Sequence, residues 1–334
     1  MNYKNLKLFA FILFFACEDN KEDKQLIDDG GITPDPWGVI TTEKPRVFSA
    51  SDVSQKTIDL TLEWYNIGAK AWGNYGPLEI WIVGSNKEAA IELDKLWCDT
   101  RLEMDLDWNV QRDCANGDPY VSGDGWSPFY NYVNDGGAAV STYRRDYFNY
   151  HFLTMTMSSK YPGPEEDDYK PVTLHEYFHV YQHSHISDIE IKGDKGPRGT
   201  KNGGEGKPWF AEGSAEYMAQ LLYSKQPGVN SGYLKETMSW KFSTVSDYKS
   251  FGKRLEDITY SDPVNAYDVG AWFIAYLVHQ KGEEVFITNF YKNLDVLGFE
   301  GSFQKHYGKS SKEYVDDFNL FLDQGVTEAL KIIP

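Results

Sequence analysis

The chain has 334 residues, 41% hydrophobic and 16% aromatic, which is enough apolar material for a large core and excludes a disordered chain. Its 33 Lys and Arg against 50 Asp and Glu give a formal net charge of -17, which repels phosphate backbones and excludes nucleic acid as an expected partner. Three cysteines are too few for a disulfide framework or a cysteine-rich zinc site. A metal site would therefore use histidine and carboxylate ligands.

The N-terminus has the pattern of an export signal. Two lysines precede an uncharged apolar run from Leu8 to Ala16, which predicts a signal peptide over residues 1–16 and is too short for a permanent membrane helix. Ala16 directly before Cys17 resembles the lipobox of bacterial lipoproteins, in which the cysteine is acylated. An ordinary secretory signal is the alternative. We expect the mature protein outside the cytoplasm, held at a membrane only through a lipid on Cys17.

A polar segment follows the cysteine and predicts a tether over residues 17–47. It begins with the acidic stretch Glu18–Asp23 and continues through Pro- and Gly-rich sequence to about Pro45. The acidic stretch resembles the export tag of surface lipoproteins of the Bacteroidetes type. A solvated tether without a sorting signal is the alternative. These features predict a place in the bacterial cell envelope, at the outer membrane or the cell surface.

Residues 48–334 are predicted to form one domain, because no second linker and no repeat of fixed period divides them. Its first half has helical patterns at 54–72 and 86–103, an irregular segment at 105–137, and strand patterns at 78–84, 138–144 and 151–159. Its second half has helical patterns at 171–183, 208–223, 265–280, 283–294 and 312–324. Strands first and helices afterwards predict an α+β fold.

Two features lie in the irregular segment. Cys98 and Cys114 flank part of it, and in an oxidising compartment we expect a disulfide between them, with two buried free thiols as the alternative. The stretch Asp113–Asp118 has oxygen ligands suited to calcium. It lacks the twelve-residue loop pattern, so we interpret it as an Asx-rich turn.

The motif that indicates a metal site is His175-Glu176-Tyr177-Phe178-His179. Residues i and i+4 of a helix lie on one face, so both imidazoles would reach one ion, with Glu176 close to a water molecule on that ion. This is the spacing of a zinc hydrolase. Two surface histidines on an ordinary helix are the alternative.

A catalytic zinc ion takes three protein ligands and leaves one position for water, so a third ligand is required. Glu212 on the next predicted helix is the favoured candidate, and Glu216, one turn later, would accept a hydrogen bond from a ligand imidazole. His185, six residues after His179, is the competitor. Its position resembles that of the third histidine in metzincins, but the metzincin pattern has a glycine three residues after the second histidine, to turn the chain back, where this sequence has Gln182.

The two predicted helices carry the motifs His175-Glu176-x-x-His179 and Trp209-Phe210-x-Glu212-Gly213-x-Ala215-Glu216-Tyr217. Together they resemble the gluzincin clan of zinc metallopeptidases, in particular the compact peptidase MA-like domains of bacterial secreted proteins. The order of the predicted elements over about residues 55–323 is similar as well. The resemblance implies a zincin-like fold with an N-terminal mixed sheet, and one zinc ion per chain. It implies His175, His179 and Glu212 as ligands and Glu176 as general base.

A tyrosine adds to this resemblance. In aminopeptidase-N-type gluzincins, a tyrosine in a Tyr-x-Lys-Gly-Ala context supports the oxyanion; here Tyr267 precedes Gly270 and Ala271, with Val269 in place of the lysine. A phenol suits this role because it donates a hydrogen bond while it stays neutral near pH 7. A core position for Tyr267 is the alternative.

The resemblance favours an endopeptidase over an aminopeptidase. The glutamate with which aminopeptidases bind the substrate's amino terminus has no counterpart in the nearest stretch, Gly136–Val140. We expect the strand from Phe152 to Met157 to form the edge of the cleft and to pair with an extended peptide or protein substrate. We expect a monomer.

Two other functions stay open. One is a non-catalytic surface lipoprotein that binds peptide or glycan through exposed aromatic residues such as Trp126, Tyr130 and Tyr132. The other is zinc-dependent hydrolysis of an amide outside a protein backbone.

Overall fold

The computed structural model describes residues 39–104, 128–145, 150–186, 203–204 and 207–334. Several sequence-based predictions lie outside the described residues: the signal peptide, most of the tether, Cys17, Cys114, the turn at 113–118 and Trp126. Within the described ranges, no helix combines the length and the apolar character needed to cross a bilayer.

Contacts divide the described chain into two compact units, and the first comprises residues up to Lys70 together with Asn74–Val180. Its strands are β1 (Val39–Ile40), β2 (Arg46–Ser49), β3 (Tyr75–Gly76), β4 (Leu78–Val83), β5 (Ala138–Arg145) and β6 (Tyr150–Ser158). The helices of this part of the chain are α1 (Gln55–Trp72), α2 (Lys87–Met104), α3 (Pro128–Asp135) and most of α4 (Tyr169–Ser184).

Four strands form a mixed sheet in the order β2-β4-β6-β5. β4 pairs in parallel with β2 and β6, and β5 pairs antiparallel with β6. All six residues of β4 are buried, as expected for the mainly apolar sequence LEIWIV in an interior parallel strand. The predicted α+β class with a mixed sheet is therefore confirmed.

The prediction that the strand from Phe152 to Met157 pairs with an extended peptide is wrong. These residues belong to β6, which pairs with β4 on one side and with β5 on the other. Among the described strands, β5 is the outer one on that side of the sheet. An alternating strand pattern predicts which residues share a face, but pairing is decided by neighbours distant in sequence, so the pattern did not distinguish the two strands.

Two boundaries also differ from the sequence-based expectation. The predicted tether ends at residue 47, but Val39 and Ile40 already pair with β3. β2 pairs with β4, and Phe48 stacks on Trp81 with ring centroids 4.0 Å apart. The segment 105–137, predicted to be irregular, contains α3. Short elements of this kind carry too few residues for a periodic pattern.

The core of the first unit contains an aromatic cluster around β4. Trp81 lies against Trp97 and Phe129, with ring centroids 5.0 and 5.2 Å away. Cys98 belongs to this cluster and is disulfide-bonded, while its predicted partner lies outside the described residues. Tyr132 packs against the same cluster, so it is part of the unit's packing and not an exposed binding aromatic.

The second unit comprises Ala71–Gly73 and Tyr181–Pro334 and is helical in its described part. Its α-helices after α4 are α5 (Pro208–Ser224), α6 (Tyr233–Lys241), α7 (Val245–Phe251), α8 (Ala266–Lys281), α9 (Leu294–Tyr307, interrupted at Gly298), α10 (Ser311–Leu322) and α11 (Val326–Ala329). A π-helical segment spans Val285–Tyr291, and short 3-10 segments lie at 242–244, 255–257 and 330–332. The predicted helices at 208–223, 265–280 and 312–324 are confirmed within one or two residues at each end.

Helices α5 and α8 meet at two glycines. A Cβ atom on Gly213 would lie 2.4 Å from the carbonyl carbon of Gly270, and a Cβ on Gly270 would lie 2.1 Å from the carbonyl oxygen of Trp209. The backbones are therefore too close for any side chain at these positions, which is one of the uses of glycine in a fold. This contact sets the position of α5, and with it Glu212, relative to α8.

Gly270→Ala is expected to lower the free energy of unfolding by about 2–3 kcal/mol, because the new methyl group overlaps backbone atoms that cannot move independently. Denaturant unfolding would measure the change. Gly301→Ala in α9 is the control, since its Cβ would meet only the Cβ of Leu297, at 3.1 Å; its effect is expected within about 1 kcal/mol of zero. Equal effects of the two substitutions would contradict the role given to the α5–α8 contact.

Candidate metal centre

The two histidines of the motif lie on α4, as predicted. Pro171 is in the first turn of this helix, where its missing N–H leaves no hydrogen bond unmade. The Nε2 atoms of His175 and His179 are 3.1 Å apart, and the ring centroids are 4.8 Å apart. Two imidazoles on a tetrahedral zinc ion, with Zn–N bonds of about 2.0–2.1 Å, have their nitrogens about 3.3 Å apart. The histidine pair therefore has the spacing that a shared ion requires.

Glu212 completes a group of three possible ligands. Ligand atoms of His175, His179 and Glu212 all lie within 4.8 Å of one another, and among the described residues this is the one such group of histidine, cysteine and acidic side chains. His175 and Glu212 are each 4% exposed. Two imidazoles and one carboxylate are a donor set that zinc prefers, so these residues fit the ion that the sequence implied.

Glu176 follows His175 on α4 and is 5% exposed. Burial raises the pKa of the Tyr132 phenol, and the charge of Glu176 raises it further. Tyr132 is therefore neutral at physiological pH and is an electrostatic neighbour of the proposed general base.

His185 is not a member of the ligand group. Its Nδ1 donates to the carbonyl oxygen of Tyr181 at 2.8 Å, and its ring lies against the Tyr181 ring. α4 continues as a helix through Gln182, whose buried amide donates to the carbonyl oxygen of Ala211 at 2.9 Å and to the Tyr291 hydroxyl at 3.0 Å. Gln182 thus fixes the backbone directly before Glu212.

Glu216 belongs to a buried ion network. Lys241 on α6 places its Nζ 2.8 Å from Glu216 Oε1 and 2.8 Å from Asp268 Oδ1, and the lysine side chain is 8% exposed. Asp268 Oδ2 also accepts from Asn265, the N-cap residue of α8, at 2.8 Å. The network joins α5, α6 and α8. The predicted hydrogen bond from a ligand imidazole to Glu216 stays a prediction.

Burial and charge act in opposite directions in this network. Burial by itself would lower the pKa of Lys241, but the two carboxylates outweigh it and the pKa is raised, so the lysine keeps its proton. Burial raises the pKa of Asp268 despite the nearby lysine, and Glu216 raises it further. One buried cation therefore pairs with two carboxylates, one of them on the helix that carries Glu212.

The predicted oxyanion donor, Tyr267, lies in the first turn of α8 and is half-buried. Its backbone N–H donates to the side chain of Asn265 at 3.1 Å. A second tyrosine, Tyr260, has its ring centroid 6.4 Å from that of Tyr267 and donates from its hydroxyl to Glu212 Oε1 at 2.8 Å.

Comparisons of this chain with protein-family models, with curated proteins and with solved structures find no match. The resemblance to gluzincins therefore depends on the motif residues and on the geometry described above.

Sequence reasoning missed three residues of this region: Tyr260, Lys241 and Gln182. Tyr260 lies in a non-periodic segment rich in Ser, Asp and Pro, where no pattern marks a side chain as functional. Lysines are mostly exposed, and no local sequence pattern distinguishes the buried Lys241 from the others. In the sequence, Gln182 is notable only because it stands where a chain reversal would need a glycine, and nothing there indicates its hydrogen bonds to Ala211 and Tyr291.

Lys241→Met is expected to cost about 3–5 kcal/mol of folding free energy, because two buried carboxylates lose their cation. Burial already raises the pKa of Asp268, and loss of the lysine raises it further above the unfolded value, so the folded state of the variant binds more protons. The stability of the variant then falls as pH rises, and the penalty grows from about pH 5 to about pH 8. Denaturant unfolding at the two pH values would measure it.

Lys225→Met is the matched control. Lys225 lies 2.8 Å from Glu283, but the two side chains are 49% and 40% exposed, so its loss is expected to cost less than about 1 kcal/mol. A penalty for Lys241→Met that is no larger than this, or that shrinks with rising pH, would contradict the buried network.

Proposed function

We propose that this chain is a zinc-dependent peptidase with a zincin-like fold, acting on peptide or protein substrates. The observation that carries the proposal is the convergence of His175, His179 and Glu212 on one point, with ligand atoms within 4.8 Å of one another. Glu176 is the residue next to the first of these ligands, as the motif requires of a general base.

The buried site suits metal-assisted amide hydrolysis. A zinc ion in it would polarise the scissile carbonyl and acidify the attacking water. Glu176 would accept the proton of that water and then deliver it to the leaving amine. Tyr267 keeps its proposed role as a hydrogen-bond donor to the oxyanion.

Internal cleavage is favoured over aminopeptidase action. In the part of the sheet that the structure describes, β5 is an outer strand, and an extended peptide can add to such a strand through main-chain hydrogen bonds. The start of β5, around Gly137–Val140, has no acidic residue to bind a substrate amino terminus. An exported, lipid-anchored enzyme would act outside the cytoplasm.

The first test is metal content, measured by elemental analysis and chelator competition on the chain purified without its signal peptide. One zinc ion per chain is expected. His179→Ala and Glu212→Ala should weaken zinc binding by more than about 100-fold, the upper end for residues that only support a ligand. His185→Ala is the control and should bind zinc like the wild type. Normal zinc binding by Glu212→Ala would exclude Glu212 as a ligand.

The second test separates chemistry from metal binding. Glu176→Gln should keep zinc and fold normally, while its rate of casein cleavage falls by about 10²–10⁴-fold, the usual contribution of general acid–base catalysis. The same assay with a chelator should abolish cleavage by the wild type. A Glu176→Gln protein that cleaves casein at the wild-type rate would rule out the proposed mechanism.

A further inference from the structure

Tyr260 reaches the proposed metal ligand from a distant part of the chain. Its hydroxyl donates to Glu212 Oε1 at 2.8 Å, across 48 residues of sequence. Tyr260 is 38% exposed, whereas Glu212 is 4% exposed. The hydrogen bond therefore joins a buried carboxylate to a more exposed residue and fixes the contact of one of its two oxygens.

The segment that carries Tyr260 is held on both sides of the tyrosine. Thr259 donates from its backbone N–H at 2.8 Å and from its hydroxyl at 3.0 Å to Asp262 Oδ2. Lys253 pairs with the same aspartate at 2.7 Å. A short loop fixed in this way presents the Tyr260 hydroxyl to Glu212 with little freedom left to lose when a ligand binds.

A hydrogen bond to one carboxylate oxygen changes how the carboxylate can bind a metal. A hydrogen bond from the phenol draws electron density from Oε1 and makes it the weaker metal donor of the two oxygens, which favours binding through one atom and not two. A single bond from Glu212 keeps the protein ligands at three and leaves a coordination position for water. Hydrogen-bond partners of this kind orient ligands and tune the metal.

We propose that Tyr260 is a positioning residue of the metal centre: its hydroxyl holds Glu212 so that the carboxylate binds zinc through one oxygen. This inference depends on the proposed function, because it needs a metal at His175, His179 and Glu212. It assigns Tyr260 a role distinct from that of Tyr267, which would contact the substrate.

Tyr260→Phe tests the role, since it removes the hydroxyl and keeps the ring. Zinc affinity, measured by competition with a chromophoric chelator, should fall by about 10–100-fold. In the cobalt-substituted protein, the visible absorption should weaken, because Glu212 would bind through both oxygens and raise the coordination number. Tyr248→Phe is the control: Tyr248 donates at 2.9 Å to Asn319, so it also loses one phenol hydrogen bond, and both readouts should match the wild type.

A double variant separates positioning from a general effect on folding. If Tyr260 acts through Glu212, then Tyr260→Phe should cause no further loss of zinc affinity in a Glu212→Ala background. An independent loss there would overturn the inference, as would wild-type zinc affinity and an unchanged cobalt spectrum in Tyr260→Phe alone. Absence of zinc binding by the wild-type chain would instead overturn the proposed function itself.

Discussion

The backbone contact between Gly213 and Gly270 is the constraint on which the helical unit depends. The contact lets α5 approach α8 more closely than any side chain would allow. Gly213 is also the residue that follows Glu212 in the sequence. Packing at such a distance leaves α5 little freedom to slide or rotate. The proposed ligand Glu212 is then held by a helix of the fold and not by a loop, which a metal site of defined geometry would require.

Polar contacts fix the position of α5 in addition to the contact between the two glycines. Gln182 joins the end of α4 to the residue before Glu212, and Lys241 joins α5 to α6 and α8 through two buried carboxylates. Buried charges of this kind are costly unless they are paired, and their directional contacts tolerate few alternative helix positions. The helices that carry the proposed ligand Glu212 and Tyr267 are therefore held by both close backbone packing and ionic contacts.

Much of the fold could be predicted from local patterns. The helices α4, α5 and α8 follow a 3.6-residue repeat of apolar side chains, and the buried strand β4 is a nearly continuous apolar run. Prediction was wrong where strand partners decide the outcome: β6 has a strand on each side and so cannot pair with a substrate peptide, and β2, paired with β4, begins within the predicted tether. Neither pairing can be predicted from the short sequence of the strand concerned, because the partner strand is distant in the chain.

The sequence by itself determined that the two histidines share one face of a helix with the proposed base Glu176 between them in sequence, because helix geometry places residues i and i+4 on one face wherever the helix lies. It also indicated Glu212 through the spacing and neighbours of a second motif. Only the tertiary structure decided that Tyr260 contacts Glu212, that Glu216 is paired with Lys241 and that His185 binds a backbone carbonyl. These contacts depend on which helices pack together and on how deeply each polar group is buried, and no local pattern of residues records either.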